Sequence, residues 1–252
     1  MTLTLEHVTG GYGNLQVLKD LNFTVADGSI VGLIGLNGAG KSTTIKHIIG
    51  LLTPQQGKIT IDDKTLAEDP DGYRQAIAYV PETPVLYAKL TLREHLELTM
   101  MAYALDKDAA WAKANEMLKK FRLDNKLDWF PAKFSKGMKQ KVMIVAAFMT
   151  NAKLYIIDEP FTGLDPLAVH DLLDLVQAKK SGGRVCADVH AHFGYRSAVR
   201  RPVCAAAQWP SPGHRQHGAA AAGLQACRRR QPGCDLHGHD GGTLMRKLWQ
   251  GA

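Results

Sequence analysis

The sequence predicts an α/β fold, because short apolar segments alternate along the chain with segments whose apolar residues recur at helical spacing. Residues 30–34 and 154–157 are apolar throughout, which is typical of strands buried on both faces of a parallel sheet. Residues 2–8 and 21–25 instead alternate apolar and polar side chains, as strands with one exposed face do. We therefore expect a parallel core sheet with an N-terminal antiparallel β portion.

The remaining segments follow in an order that suits this fold. A Gly-rich turn separates the strand at 30–34 from a helix, and Pro81 ends the strand at 77–80. Strands are predicted at 2–8, 21–25, 30–34, 58–61, 77–80 and 154–157, and helices at 41–51, 92–105, 109–121, 136–149 and 167–180. The block from about 86 to 141 is helical and stands between two core strands, so we expect it to form an inserted helical subdomain.

The composition changes abruptly after residue 183. The 252-residue chain has a net charge of +7, but residues 184–252 hold 10 of its 31 Lys and Arg and only 3 of its 24 Asp and Glu. Residues 1–183 are therefore electroneutral, and all four cysteines follow them. A basic chain usually suggests a polyanionic partner. Here the excess positive charge lies in residues 184–252, outside the part of the chain that has strand and helix patterns, so we expect no nucleic-acid partner.

No secretory signal is visible at the start of the chain, since no basic segment leads into an apolar one. The longest apolar run, residues 142–149, is shorter than the roughly 18 residues that a membrane-spanning helix needs. The absence of cysteine from residues 1–183 suits a reducing compartment. We expect a cytoplasmic protein.

A phosphate-binding motif occupies residues 35–42. Its sequence, Gly-Leu-Asn-Gly-Ala-Gly-Lys-Ser, fits the P-loop pattern and lies between a buried strand and the start of a helix. In such a loop the lysine, here Lys41, reaches the β- and γ-phosphates, and the Ser42 hydroxyl ligates Mg²⁺. The motif predicts ATP as the ligand, with these contact residues: Gly35, Asn37, Gly38, Ala39, Gly40, Lys41, Ser42 and Thr43.

Two carboxylates end the apolar strand at 154–157. We expect this strand end to lie beside the P-loop, with Asp158 holding Mg²⁺ through water and Glu159 polarising the attacking water as general base. Glu159 and Lys41 are therefore the predicted catalytic residues of an ATPase. A solvated strand end is the alternative, which the upstream P-loop disfavours.

With these motifs, the chain resembles the ATP-binding subunits of ABC transporters. Residues 134–141, Phe-Ser-Lys-Gly-Met-Lys-Gln-Lys, resemble the ABC signature, in which Ser135 and Gly137 would open a helix and bind the γ-phosphate held by a partner subunit. Lys136 and Met138 replace the usual Gly and Gln. Alone, this segment would predict only a capped helix with a basic face. The resemblance covers residues 1–183 and implies that they form a P-loop nucleotide-binding domain.

Three further positions are assigned by the same resemblance. Residues 162–165, Thr-Gly-Leu-Asp, resemble the D-loop, which places Asp165 at the nucleotide of a dimer; a simple turn is the alternative. Tyr12, in a Gly-rich turn, stands where the family has an aromatic ring that stacks on adenine; an ordinary loop aromatic is the alternative. Glu82 replaces the family's Q-loop glutamine and would either ligate Mg²⁺ or contact the permease.

Residues 81–87 and 134–141 resemble most the Ecs-type bacterial exporters, which pair an ATPase with a separately encoded permease. The resemblance implies two copies closing head to tail, docked on an ABC permease at the inner face of the cell membrane. A soluble ABC ATPase without a transport role is one alternative, which a neighbouring permease gene would exclude. A nucleic-acid-binding adaptor acting through the basic tail is another.

The resemblance stops after residue 183. The family next has a strand ending in a switch histidine, whereas residues 184–252 show no such strand, and we expect an irregular tail. Read from the second base of each codon, residues 187–197 can encode Leu-Met-Ser-Thr-His-Ile-Leu-Asp-Thr-Ala, which restores both features. We infer that residues 184–252 are translated out of frame in place of the family's C-terminal end. The chain should then bind nucleotide but hydrolyse it poorly.

Two other interpretations of the tail remain. One is a zinc site built from Cys227, Cys234, His237 and His239. The other is a nucleic-acid patch at residues 228–230, which are all arginine. Loose ligand spacing disfavours the first, and the lack of interleaved aromatic residues disfavours the second.

Overall fold

The computed structural model describes residues 2–33, 38–181, 185–188 and 203–205. Two single 3-10 turns also lie in these ranges, at Asp124–Lys126 and Pro131–Lys133. The strands are β1 (Leu3–Tyr12), β2 (Leu15–Val25), β3 (Ile30–Leu33), β4 (Gln56–Ile61), β5 (Ile77–Val80), β6 (Leu154–Ile157), β7 (Val185–Asp188) and β8 (Val203–Ala205). The helices are α1 (Lys41–Ile48), α2 (Pro70–Gln75), α3 (Leu92–Ala102), α4 (Lys107–Lys120), α5 (Lys136–Phe148) and α6 (Pro166–Ser181).

Strands β1, β2 and β4 form an antiparallel sheet in the order β2-β1-β4. The register places Leu3 opposite Val25 on one side and opposite Ile61 on the other. Side chains from this sheet, such as Leu5, are buried in one cluster with Val31 of the second sheet. The predicted N-terminal antiparallel β portion is therefore confirmed, and it packs on the core sheet.

The second sheet is parallel and has the order β5-β6-β7-β3-β8. Successive residues of β6 face opposite sides of it, as the two-residue repeat of a strand requires. Leu154 and Ile156 lie in the hydrophobic cluster that is shared with the antiparallel sheet. Tyr155 and Ile157 lie in a second hydrophobic cluster, which they share with apolar side chains of the helices. Both faces of β6 are thus covered, which explains why the strand is apolar throughout and confirms the predicted α/β class.

Three helices, α3, α4 and α5, lie between β5 and β6 in the chain. Helix α3 begins with a capping box, in which Glu94 accepts from the backbone N–H of Thr91 at 2.7 Å. Helix α4 begins after Asp106, whose carboxylate accepts from the N–H of Ala109 at 2.8 Å. The inner faces of these helices bury Leu96 and other apolar side chains in the same hydrophobic cluster as Tyr155 and Ile157.

Several element bounds of the first half differ from the sequence-based expectation; β2, for example, begins at Leu15 and not at Leu21, and α1 ends at Ile48 and not at Leu51. Strand β1 continues four residues beyond the predicted end at Val8, because irregular pairing after Leu5 and Val8 interrupts the alternation of apolar and polar residues. Helix α2 was not predicted, since six residues are too few to show a helical repeat. Its start was nevertheless marked in the sequence by Asp69, which caps Gly72 at 3.0 Å, and by Pro70.

The predicted loss of a core strand after residue 184 is wrong at β7. This strand lies between β6 and β3 and pairs with both, so that Cys186 is opposite Tyr155 on one side and Ile30 on the other. Without it, two buried strand edges would keep unpaired backbone groups, and a short segment whose first three residues are small or apolar meets that need whatever its origin. The other predicted features of the tail lie outside the described residues: Cys227, Cys234, His237, His239 and residues 228–230.

Candidate nucleotide-binding site

The predicted site residues follow strands whose carboxyl ends lie at one edge of the parallel sheet. β3 leads toward the P-loop and α1, β5 leads to Glu82, and β6 leads to Asp158 and Glu159. This edge is the usual ligand-binding side of an α/β sheet. In the sheet, β7 separates β6 from β3. The expectation that the end of β6 lies beside the P-loop stays a prediction, because residues 34–37 lie outside the described residues.

The N-terminus of α1 carries the Gly-Lys-Ser part of the P-loop. Gly38 and Gly40 have φ angles of 80° and 89°, which glycine adopts without steric cost. Gly40 is the N-cap, and no side chain caps the first turn. Lys41 is 7% exposed and Ser42 is exposed. This positive helix end is therefore suited to bind a phosphate. Of the other predicted contacts, Ala39 is half-buried, and Gly35 and Asn37 lie outside the described residues.

Tyr12 is the last residue of β1, and the turn begins only at Gly13, so its predicted place within the turn is corrected. The ring is 45% exposed, and Lys46 of α1 places its Nζ 3.1 Å from the hydroxyl and 5.3 Å from the ring centroid. Hydrogen bonds with Thr43 and then Lys46 lower the pKa of Tyr12. Helix α1 thus orients an aromatic ring that retains surface for stacking.

Asp158 and Glu159 follow β6 and differ in burial. Asp158 is 7% exposed, and the hydroxyl of Tyr79 lies 3.5 Å from its Oδ2, at the outer limit of a hydrogen bond. Glu159 is half-buried and has a φ of 44°. A residue with a side chain rarely adopts this left-handed conformation, and such residues concentrate at functional sites.

Tyr79 is a site residue that sequence reasoning missed. It is half-buried in β5, and burial followed by the charge of Asp158 raises its pKa to about 12. The hydroxyl is therefore neutral and able to donate to a carboxylate at physiological pH. The only signal in the sequence was a phenol in an otherwise apolar strand.

Ser135 and Gly137 begin α5, as predicted. The Ser135 Oγ accepts from the N–H of Met138 at 3.2 Å, and the residue is exposed. Gly137 packs on the loop that precedes α6, since a Cβ added to it would lie 2.2 Å from the carbonyl oxygen of Gly163. The structure therefore places the signature segment against residues 162–165 of the same chain.

Asp165 is held by contacts within the chain. Its Oδ1 accepts from the N–H of Ala168 at 2.9 Å, which caps α6, and its Oδ2 lies 2.7 Å from the Nζ of Lys141. The hydrogen bond from Lys141 holds the pKa of Asp165 below its usual value. Sequence reasoning had assigned Asp165 to a nucleotide contact without anticipating its ion pair with Lys141.

The oxygen ligands at this edge fit Mg²⁺. Within residues 2–33 and 38–180 no three His, Cys, Asp or Glu side chains cluster as a protein-only metal site would require. Mg²⁺ bound with a nucleotide needs fewer protein ligands, because phosphates and water complete its octahedron. The exposed Ser42 hydroxyl and the Asp158 carboxylate offer oxygens of the kind that such an ion needs, and Glu82 is exposed after β5.

Known proteins resemble this chain over most of its length. A family model described as ABC transporter matches residues 18–162. The chain is 58% identical over 189 residues to the ABC-type transporter ATP-binding protein EcsA of Bacillus subtilis (strain 168), which is 75% of this chain and 76% of that protein. It is 31% identical over 185 residues to the lipopolysaccharide export system ATP-binding protein LptB of Escherichia coli (strain K12), covering 72% and 77% of the two chains.

Solved structures agree with these matches. The structure of an ATP-binding subunit of an ABC transporter superposes with a TM-score of 0.76 at 50% identity, covering 81% of this chain and 85% of that one. A bacterial Atm1-family ABC exporter with ATP bound gives 0.67 at 25% identity, covering 77% and 35%. None of the helices in the described ranges is both long and apolar enough to cross a membrane. From its P-loop, its paired carboxylates and these matches, the chain belongs to the ABC transporter family as one of its ATP-binding subunits, which are ATPases coupled to transport.

Proposed function

We propose that this chain binds Mg·ATP and hydrolyses it to drive export through a separate membrane permease, at the inner face of the cell membrane. The observation that carries the proposal is the α1 N-terminus with its buried Lys41, at the sheet edge that also bears Asp158 and Glu159. One relative supports the direction of transport, since LptB belongs to a lipopolysaccharide export system.

Within one chain, each residue has a separate task. Lys41 and the first amides of α1 bind the β- and γ-phosphates, and Tyr12 stacks on the adenine. Ser42 and Asp158 hold Mg²⁺, which neutralises phosphate charge when bound. Glu159 accepts a proton from the attacking water. This proton transfer needs a carboxylate at the γ-phosphate end of the site.

The rest of the site comes from a second copy of the chain. Ser135 is exposed at the start of α5, so this positive helix end faces outward and can meet a γ-phosphate held by another subunit. A head-to-tail dimer places Ser135 and Gly137 of each copy on the nucleotide of the other. Asp165 lies in the adjoining loop, next to the same interface.

Nucleotide hydrolysis tests these roles, measured on the chain with its reading frame restored after residue 183, so that the parent rate lies well above background. We expect Glu159→Gln to keep the affinity for a fluorescent ATP analogue while phosphate release falls to background, a loss of about a hundredfold or more. Glu116→Gln, on the exposed face of α4, is the matched control and should change neither quantity. Unaltered phosphate release in Glu159→Gln would exclude Glu159 as the general base.

We further propose that residues 184–252 are an out-of-frame tail and that the chain as written hydrolyses ATP slowly for lack of a switch histidine. The support is the change of composition after residue 183 and the restored family pattern in the shifted frame. Sequencing the DNA across codons 180–190 tests the origin of the tail. Restoring the frame should raise hydrolysis about tenfold or more, by the weight of one lost transition-state contact. Equal rates before and after would contradict the impairment.

A further inference from the structure

Three side chains on one face of α1 meet the strand that carries Tyr12. Thr43 stands three residues before Lys46 and four before His47, so the three side chains lie together on the helix surface. Each of them contacts the end of β1 or the residue that holds it. The first turn of the same helix is proposed to bind the phosphates. Helix α1 therefore connects the phosphate end of the site with Tyr12.

Lys46 and Thr43 hold the ring of Tyr12. Nζ of Lys46 donates to the Tyr12 hydroxyl at 3.1 Å and lies 5.3 Å from the ring centroid. Thr43 is buried and shares a further hydrogen bond with the same phenol. A lysine in the last turn of a helix is favourable wherever its side chain points, because that end of the helix dipole is negative. The dipole therefore does not explain why this ammonium lies on the phenol, whereas a role in fixing the ring does.

His47 supports the backbone that leads to Tyr12. The imidazole is 2% exposed, and its Nδ1 lies 2.8 Å from the carbonyl oxygen of Thr43. A Cβ added to Gly10 would clash with Nε2 of His47, and its three nearest heavy atoms all belong to that imidazole. The pairing of β1 with β2 is irregular on both sides of Gly10, so the ladder alone defines the path of the strand poorly there. The imidazole thus supports β1 two residues before Tyr12.

The same imidazole has a buried nitrogen without a partner. Within the described residues, Nε2 of His47 makes no hydrogen bond. A buried unpaired polar atom destabilises a protein, and leucine would fill a similar volume without it. Stability alone therefore does not explain a histidine here. A planar ring whose Nδ1 is bound to the helix backbone has little freedom to move, which suits a support for the strand.

The turn that follows Tyr12 is held from another direction. Nε2 of Gln55 donates to the carbonyl oxygen of Gly13 at 2.7 Å, and its backbone N–H donates to that of Thr9 at 2.8 Å. Tyr12 is therefore fixed before the ring, at the ring and after it, while 45% of the residue stays exposed. A ring fixed in advance loses less conformational freedom when a base stacks on it.

We propose that Lys46 and His47 are positioning residues that fix the ring of Tyr12 where the adenine of a bound nucleotide stacks. The proposal rests on the stacking role that the proposed function gives to Tyr12. Both residues act through that ring, so their effect is on the binding of the base and not on the binding of the phosphates. The face of α1 thus determines how strongly the chain prefers ATP to a triphosphate without a base.

Calorimetric titration of the full 252-residue chain with Mg·ATP and with magnesium tripolyphosphate tests the role of Lys46. Lys46→Met should weaken ATP binding about tenfold, as the loss of a base–aromatic stacking contact does, and keep tripolyphosphate binding within about twofold. Lys46→Arg should keep ATP binding within about threefold, since arginine also donates and lies on aromatic rings. Lys58→Met is the matched control, because Lys58 pairs with Glu6 at 3.1 Å, and it should change neither affinity.

An equal loss of affinity for both ligands in Lys46→Met would show that the lysine acts on the phosphates by its charge, and it would overturn the positioning role. The same variant in a Tyr12→Leu background shows whether Lys46 acts through the ring. Tyr12→Leu alone should weaken ATP binding about tenfold, and the added Lys46→Met should weaken it no further. Two losses that multiply would contradict the proposal.

His47→Leu separates positioning from stability. Leucine removes the unpaired nitrogen, so the melting temperature should be unchanged or higher. ATP binding should nevertheless weaken about fivefold, with tripolyphosphate binding unchanged, because β1 loses its support. Gly10→Ala should weaken ATP binding similarly, and in a His47→Ala background, which makes room for the methyl group, it should have no further effect. A lower melting temperature with unchanged ATP affinity in His47→Leu would show that His47 serves packing only and would overturn its part.

The parent chain distinguishes this proposal from the proposed function. A parent that binds tripolyphosphate as tightly as ATP overturns the stacking role of Tyr12 and this proposal with it. A parent that binds neither ligand refutes the proposed function, and hydrogen exchange without nucleotide then decides the positioning. Lys46→Met and His47→Leu should each raise exchange at residues 10–13 about fivefold, and Lys58→Met should not. Unchanged exchange in the first two variants overturns the positioning.

Discussion

The helix N-termini of α1 and α5 are both proposed to face phosphate, yet they are built differently. At α1 the N-cap is Gly40, no side chain caps the first turn, and Lys41 is 7% exposed. At α5 the N-cap is the exposed Ser135, whose hydroxyl already accepts from the N–H of Met138. The start of α1 has a lysine beside a first turn that no side chain caps. The start of α5 is capped by its own Ser135 and is exposed. The difference supports the proposal that α1 binds nucleotide without a partner and that α5 acts only on a nucleotide brought by another subunit.

The largest expected effect is on nucleotide affinity. Lys41→Met should weaken binding of a fluorescent ATP analogue about a hundredfold, because a charge-assisted phosphate contact is lost. Ser135→Ala should leave the affinity of the dilute monomer unchanged, since α5 takes no part in it. Titrations at protein concentrations too low for dimerisation measure the nucleotide affinity of both variants. A similar loss in the two variants would break the distinction between the two helix ends.

The second effect concerns one glycine near each helix start. Gly137→Ala should lower the free energy of unfolding by about 1–3 kcal/mol, because its Cβ would lie 2.2 Å from the Gly163 carbonyl oxygen. Gly38→Ala meets no atom within 4 Å, so only its φ of 80° is unfavourable, at about 1 kcal/mol. Urea denaturation compares the two. A larger loss in Gly38→Ala would show that the α5 contact with residues 162–165 is loose.

The cap of α5 should matter for both stability and assembly. Ser135→Ala should cost about 1 kcal/mol of unfolding free energy, as other lost caps do. Ser135→Asp should keep the cap but repel a partner's γ-phosphate, so it should retain stability and lose ATP-induced dimerisation. Thr91→Ala removes the comparable cap of α3 and serves as control, with an effect on stability alone. Analytical ultracentrifugation with Mg·ATP reads the dimer; an intact dimer in Ser135→Asp would contradict the predicted role.

The smallest expected effects are on the pH dependence of stability, and the two regions should differ in direction. The pKa of Tyr79, raised to about 12, gives a contribution that is complete below about pH 10 and is lost as the pH rises to 12. The lowered pKa of Asp165 gives one that is present above about pH 4 and is lost as the pH falls further. Tyr79→Phe should therefore flatten only the alkaline limb of a stability profile, and Asp165→Asn only the acid limb.

Local signals predicted most of the fold and the nucleotide end of the site. The apolar runs at β5 and β6 predicted the bounds of these two strands, and the P-loop motif predicted that a helix begins at Lys41. These predictions were possible because both kinds of signal lie in adjacent residues. The contacts of Tyr79 and Lys46 were not predictable, since each joins residues far apart in the sequence. Nothing local marks the left-handed φ of Glu159 either, because it is imposed by the surrounding packing.

The strand β7 shows where pattern reasoning fails for another reason. Its sequence, Val-Cys-Ala-Asp, is too short to carry a repeat, and the sheet selects it because two buried edges flank the place it fills. Such a strand is specified by its neighbours more than by its own residues. The expectation of a missing strand treated the segment as if it folded alone.

The position of β3 has a consequence for synthesis on the ribosome. The two strands that pair with β3, β7 and β8, are synthesised after all the other described strands. Ile30 pairs with Cys186 and Val31 pairs with Val203, so β3 has no strand partner until these residues have been made. Chains emerge at about 5–20 residues per second, so the strand that leads to the P-loop stays unpaired for on the order of ten seconds or more. The antiparallel sheet, whose strands are complete by Ile61, can form far earlier. A nascent chain would thus expose the apolar edge of β3 throughout that interval, and chaperone capture should be strongest then.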